Sequence, residues 1–360
     1  MRVVSALCFI GLCLGAAGCP PPTPETMPDL TTPPPADLSM PDLAVPPKVL
    51  SLLAGAVGGK GNIDGTGAAA RFANPYGVAA DNAGNVYVAD SDNNVIRKVV
   101  AATGVVTTLA GVAGLEGSTD GIGTAARFHS PQGLTIDRTN ANLYVSDTGN
   151  ETIRKIALSN GAVTTLAGMV GATGTANGTG TAARFDNPVG LTIDTNGNLF
   201  VADVVNNTIR QVVVATGAVT TLAGMPGASG STNGTGSAAR FNNPLGVAVD
   251  STGTNLYVAD SNNNVIRQIV VATAAVTTLA GTAGMNGSLD GTGTAARFLN
   301  PGGVILDATG NLYVTDANET IRKVVVAGGV VTTIAGSAGM NGNADGTGTA
   351  ARFMGPAALG

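Results

Sequence analysis

From residue 49 onward, short apolar runs alternate with breaks rich in glycine and asparagine. The first run follows a proline and ends in an aspartate, as in Val78-Ala79-Ala80 before Asp81, or Leu134-Thr135-Ile136 before Asp137. A turn such as Asn82-Ala83-Gly84-Asn85 comes next, because these residues supply the backbone angles of tight turns. The second run covers 86–89 and ends at Asp90; an Asn-rich turn over 91–94 leads to a third, 95–101, and a Thr-Gly turn to a fourth, 105–109. Four short strands joined by such turns predict an antiparallel meander. No window of useful length carries apolar residues at the helical period.

The second run is apolar on both faces. Val86 and Val88 point one way, Tyr87 and Ala89 the other. A sheet covered on both sides must stand between neighbours, as the blades of a propeller do. The fourth run is rich in threonine, as in Val106-Thr107-Thr108, which predicts an outer edge half exposed to water.

The whole unit recurs. Its last residue falls at Gly55, Gly111, Gly168, Gly224, Gly281 and Gly336, so the period is 55 to 57 residues. An Ala-Arg-Phe motif recurs with Phe72, Phe128, Phe185, Phe241, Phe298 and Phe353. A fixed period in this range predicts a propeller or a solenoid. One copy, 126–168, reads AARF, SPQG, LTID, NLYVSD, TIRK and VTTLAG in order.

These pieces resemble the NHL repeat. The string NPYGVAADNAGNVYVADSDNNVIRKV and its four later versions carry the resemblance, over about residue 49 to the end. It implies an all-β propeller of four-stranded antiparallel blades, commonly six of them. The long glycine-rich loop before each Ala-Arg-Phe resembles the NHL version of teneurin-type and bacterial surface proteins. The chain opens on a fourth strand, 49–53, and five full copies follow; the sequence stops at Gly360, just past the sixth Ala-Arg-Phe. The expectation is a six-bladed plan with five complete blades and an incomplete sixth that lacks roughly 35 residues. Either the chain is a fragment or it borrows strands from a partner.

The N-terminus predicts an address. Residues 1–18 read as a signal peptide: Arg2, an apolar core from Val3 to Leu14, then Gly15, Ala16, Ala17 and Gly18 before Cys19. The core is too short to span a bilayer. Small residues before a cysteine resemble the bacterial lipobox, which implies cleavage before Cys19 and its acylation; Ala16 stands where leucine is usual. Residues 19–47 then form the lipidated cysteine and a spacer. Eleven of the residues 20–47 are proline, which favours an extended tether. The propeller takes 48–360. The expected location is the bacterial outer membrane, periplasm or cell surface, held by the lipid alone. The alternative is an ordinary secreted protein.

Charge and chemistry narrow the function. Eighteen basic and 23 acidic residues leave a net charge of -5, against the basic footprint that nucleic acid requires. Cys8, Cys13 and Cys19 are the only cysteines, and His129 is the only histidine. Histidine–zinc sites, thiol nucleophiles and His-based triads therefore cannot be assembled in the repeat region. His129 occupies a position of varied residues and reads as exposed and inert. Tyr87, Tyr144, Phe200, Tyr257 and Tyr313 share one slot of the second strand, and Tyr76 alone falls outside the aromatic slots of the repeat. Eleven of the thirteen arginines also fall in repeated slots, as Arg71 and Arg97 do in the first copy. Arg97 lies on an apolar face, so it is expected to be buried and paired with a recurring acid, Asp81 or Asp90. The alternative is a ring of carboxylates at the channel mouth able to hold a hard cation. The Asp-Gly-Thr-Gly loops at Asp64, Asp290 and Asp345, and the related Asp-Gly-Ile-Gly at Asp120, read as tight turns. No catalytic or cofactor-binding set emerges and no cofactor is expected. The reading is a non-catalytic binding or scaffold propeller of the envelope, its partner a protein or other envelope ligand. The alternatives are a propeller enzyme of the lyase or lactonase kind, for which Glu116, Glu151 and Glu319 are the only glutamates within the blades, and a structural or truncated paralogue without activity. Oddities that break the repeat, Val204-Val205, His129 and Tyr76, are where a ligand site would show.

Overall fold

The computed structural model describes residues 49–360 apart from Val57. It is a β-propeller of five blades, each an antiparallel sheet. The first blade is built from Pro75–Ala80, Asn85–Asp90, Val95–Val100 and Val105–Gly111, paired in that order. The second uses Pro131–Ile136, Asn142–Asp147, Thr152–Ala157 and Ala162–Ala167. The others start at Pro188, Pro244 and Val304.

Two expectations are corrected. Each sheet has a fifth strand. In the first blade it is Gly65–Thr66, from the loop before Ala-Arg-Phe, which pairs with Val105 and Val106. The threonine-rich fourth strand is therefore not the outermost one. The small outer strand covers an edge that would otherwise present unpaired amides. Second, there are five blades, not six with an incomplete sixth. Beyond them, only Val49–Leu50 pairs with Gly346–Thr347, and residues 357–360 lie between the fifth and first blades. These pieces do not join into one sheet, because no strand stands between them to carry the ladder.

The core lies between blades, as the two-faced second strands require. Ala79, Tyr87, Ala89, Ile96 and Ala110 of the first blade meet Phe128, Leu134, Leu143, Val145 and Ile156 of the second. Around the axis the blades approach through glycine. A Cβ on Gly77 would overlap the Gln132 carbonyl; on Gly133, that of Val189; on Gly190, that of Leu245. Only glycine lets the backbones come this close.

Candidate functional site

Each blade holds one arginine in a cage. In the second blade the guanidinium of Arg154 donates to Asp147 Oδ2 at 2.6 Å and to Asp120 Oδ1 at 2.7 Å. It also donates to the carbonyls of Arg127 and Thr119 and lies 5.3 Å from the centre of the Phe128 ring. Arg97, Arg210, Arg267 and Arg322 sit likewise over Phe72, Phe185, Phe241 and Phe298. A bulge precedes each of the five between the third and fourth strands, a device that re-aims a side chain. Arg154 and Asp147 are both 0% exposed.

The expected pairing with the Asp90 series is present; pairing with the Asp81 series is not. Asp81 instead closes its own turn, accepting from the amides of Ala83 and Asn85 and from the Asn85 side chain. Desolvation lifts its carboxyl, but these hydrogen bonds outweigh it and hold the pKa below the ordinary value. Asp137 and Asp250 behave in the same way. Among the described residues no group of three histidine, cysteine or acidic side chains converges as a metal site. Asp64, Asp120 and Asp290, read from sequence as plain turns, turn out to supply the second acid on Arg97, Arg154 and Arg322. Their signal was present: the aspartate recurs 32 to 34 positions before the arginine, and asparagine replaces it at Asn177 and Asn233, where it still accepts from Arg210 and Arg267.

Asp316 departs from its set. Its turn is one residue shorter, and the Asn318 side chain donates to the Gly287 carbonyl without also bonding Asp316. Asn93, Asn150, Asn206 and Asn263 donate to the matching loop carbonyls and also to their aspartates, the latter at 2.8 Å. Burial pushes the Asp316 carboxyl up to about 6, against the Leu299 amide and Arg322. The folded value then lies above the unfolded one, so this group's stabilising share is full below the ordinary value of 3.8 and is lost as pH rises through about 6. We expect a carboxyl carbon titration by NMR to show a midpoint near 6, removed by Asp316→Asn. A midpoint below 4 would mean that Arg322 outweighs burial.

The channel runs along the first strands. At their starts it narrows to a cavity of about 60 Å³ beside the glycine collar. Tyr76 reaches across this end to pack with the cluster that includes Val189 and Leu245, and burial raises its phenol pKa. At their ends the channel widens to a cavity of about 300 Å³ lined by Ala80, Ile136, Thr192, Val249 and Leu306 among others. The Val249 amide, on the channel edge of its strand, meets Thr192 Oγ1 of the preceding blade at 3.4 Å. Arg138 lies beside this wide mouth and donates to the Ser251 carbonyl two blades away, at 2.9 Å. Sequence reasoning missed Arg138; it is the one arginine past residue 2 that falls outside the two repeated slots.

The other oddities fall elsewhere. His129 is half exposed, 3.4 Å from Glu116, with its ring against Gly149, so it is paired and not free. Val204 joins the apolar cluster and Val205 is exposed. Cys19 lies outside the described residues.

Five blades with this Phe–Arg–Asp kit define an NHL-type propeller. Three stretches, 72–98, 185–212 and 241–269, match the NHL repeat family, and the chain belongs to it. NHL repeat-containing protein 2 of Bos taurus is 33% identical over 297 residues, covering 74% of this chain and 40% of its own length. The chain thus spans about two fifths of the curated relatives of that name. Among solved structures, a Bacteroides thetaiotaomicron protein of unknown function has a TM-score of 0.66 at 22% identity, over 86% of this chain and 70% of its own. An auxiliary nutrient binding protein of Bacteroides ovatus has a TM-score of 0.62 at 16% identity, over 87% and 71%. At these identities the likeness is one of fold.

Proposed function

We propose that this chain is a non-catalytic binding propeller, exported and anchored through a lipid on Cys19, that takes a small polar ligand at the wide mouth of its channel. The observation that carries the reading is the contrast between the cages and the mouth. The acids, arginines and rings of the repeat are engaged within the blades. The mouth offers about 300 Å³, strand edges whose amides face the axis, threonines and Arg138. Such a concavity, in which polar backbone edges alternate with apolar side chains and a few placed polar groups, suits ligand capture. The nutrient-binding description of a structural neighbour is in keeping with it.

Two measurements test the proposal. Titration calorimetry with neutral mono- and disaccharides and dipeptides should find a saturable ligand, and Ala80→Trp, at an exposed position of the mouth, should abolish its binding. Binding untouched by that block, or turnover of the bound compound, sinks the mouth or the non-catalytic reading respectively. For the anchor, the intact mass of the mature protein should show an acylated Cys19 as the first residue. An unmodified N-terminus elsewhere refutes it.

A further inference from the structure

The loops at the narrow end of the propeller expose apolar side chains of a kind that the wide end buries. In an antiparallel blade the start of the first strand, the turn after the second and the loop after the fourth share one end. Leu115, Met169, Val170, Met225 and Met285 come from the loops after four successive fourth strands, and Val205 from the turn after a second strand. Each is 39–52% exposed. The turns at the wide end carry large apolar residues too, but Leu158, Val214, Val271 and Val326 pack onto the clusters between blades. The exposed tips are held in place. The Ala172 amide closes a turn on the Met169 carbonyl at 3.1 Å, and that of Ala228 on Met225 at 3.0 Å, with Gly171 and Gly227 at positive φ in the third position. The Gly227 amide then ties its turn to the Asn206 carbonyl at 3.2 Å. Apolar side chains gathered at one end and fixed outward mark an interaction surface.

The charge at this end has one sign in excess. The second arginine of each repeat, the one in Ala-Arg-Phe, lies against these loops. Arg184 donates through Nη1 to the Thr181 and Ala183 carbonyls, and its Nη2 meets the Met169 sulfur at 3.1 Å. Arg240 repeats the arrangement, with Nη2 at 3.2 Å from the Met225 sulfur, and Arg297 leans on Met285. Among the described residues no carboxylate reaches these three guanidinium groups, in contrast to the caged arginines. The acids at the same end are mostly engaged. Lys60 meets Asp92, His129 meets Glu116, and Glu151 accepts from the Asn187 amide, with Asp186 the exception. The narrow end thus sets apolar tips beside cations that lack an acid, on a chain whose net charge is -5.

We propose that the narrow end docks on an anionic lipid bilayer, its apolar tips entering the acyl boundary and the Nη2 edges of Arg184 and Arg240 meeting headgroup phosphates. The tips stand one or two to a blade on separate turns. A fluid surface takes them all, whereas a protein partner would need a socket for each. The choice of a bilayer rests on the anchored reading above, since a chain held through Cys19 works within a tether's length of one. At about 3.1 Å per extended residue, the spacer of residues 20–47 is several times longer than a six-residue strand, so either end of the propeller can reach the membrane. Docked by the narrow end, the propeller turns its wide mouth away from the lipid.

The chain contains no tryptophan, so one introduced by substitution reports its own surroundings. Met225→Trp marks a tip, and Ala102→Trp marks an exposed turn at the wide end. Both are made in the mature chain, with Cys19 intact and as Cys19→Ala. The probe is a vesicle of equal parts phosphatidylcholine and phosphatidylglycerol with brominated acyl chains. Emission from Met225→Trp should shift to the blue and be quenched, and emission from Ala102→Trp should do neither. Adding Met169→Ser and Met285→Ser to the Met225→Trp, Cys19→Ala chain should weaken vesicle binding about tenfold or more. Vesicles of phosphatidylcholine alone should bind it more weakly, as should 1 M salt, where the screening length falls to about 3 Å. Quenching of Met225→Trp in a chain whose mass shows no acyl group refutes the anchor and upholds the docking. An acylated chain that sediments with vesicles while both tryptophans stay unquenched keeps the anchor and overturns the docking, and equal quenching at both positions overturns it too. A blue shift of Met225→Trp without vesicles, with a dimer in sedimentation velocity, assigns the tips to a second copy of the chain and likewise overturns the inference.

Discussion

Replacing Arg154 by alanine is expected to lower the unfolding free energy of the propeller by about 3–5 kcal/mol, because it strands a buried carboxylate. Asp147 is 0% exposed and has, besides Arg154, only the Asn150 side chain and the His129 amide as donors. The Phe128 ring loses its cation, and the Arg127 and Thr119 carbonyls lose a donor. The matched control is Asp120→Asn. Asparagine already fills that position at Asn177 and Asn233, where its oxygen accepts from the arginine. That change should stay within about 0.5 kcal/mol. Denaturant unfolding of both variants decides the matter. Similar losses would mean that the outer acid, half exposed at its side chain, matters as much as the buried one.

A larger disruption is expected from Gly133→Ala. The added methyl would overlap the Val189 carbonyl and press on a Leu191 methyl. Neither neighbour can yield alone, since Gly190 is pinned in the same way against Leu245 and the contacts run on around the axis. Overpacking a core costs about 1–3 kcal/mol when side chains can adjust. Here the obstacle is backbone, so the loss should exceed that range and the variant should lose cooperative unfolding or fail to fold. Gly84→Ala serves as the contrast. Its Cβ meets no atom within 4 Å, and only its positive φ opposes the change, a penalty of about 1–2 kcal/mol. A Gly133→Ala protein as stable as the Gly84→Ala protein would refute the collar.

Much of this was legible in the sequence. The four strands of each blade, their order and the burial of Arg97 and its equivalents followed from short-range pattern: alternation, prolines and a fixed period. What escaped was set by contacts that pattern does not encode. Gly65–Thr66 is too short to read as a strand, and only its pairing with Val105–Val106 makes it one. Asp64 and Asp81 look alike as residues beside turns. The first reaches an arginine 33 positions away, while the second closes a turn four positions long. The number of blades depended on whether the two ends of the sequence join into a sheet, which is a question of three-dimensional pairing. The channel mouth was hidden because it is built largely from backbone edges, and only Arg138 could have signalled it.

The two-residue ladder between Val49–Leu50 and Gly346–Thr347 has a mechanical consequence. A pull applied through residue 49 enters the propeller there, before it reaches any complete sheet. Two antiparallel residue pairs are a short clasp beside the six paired residues that join the second and third strands of a blade. Under tension the clasp should part first, paying out slack as residues 49–54 peel away. The five sheets would stay intact, so the clasp acts as a mechanical fuse in series with them.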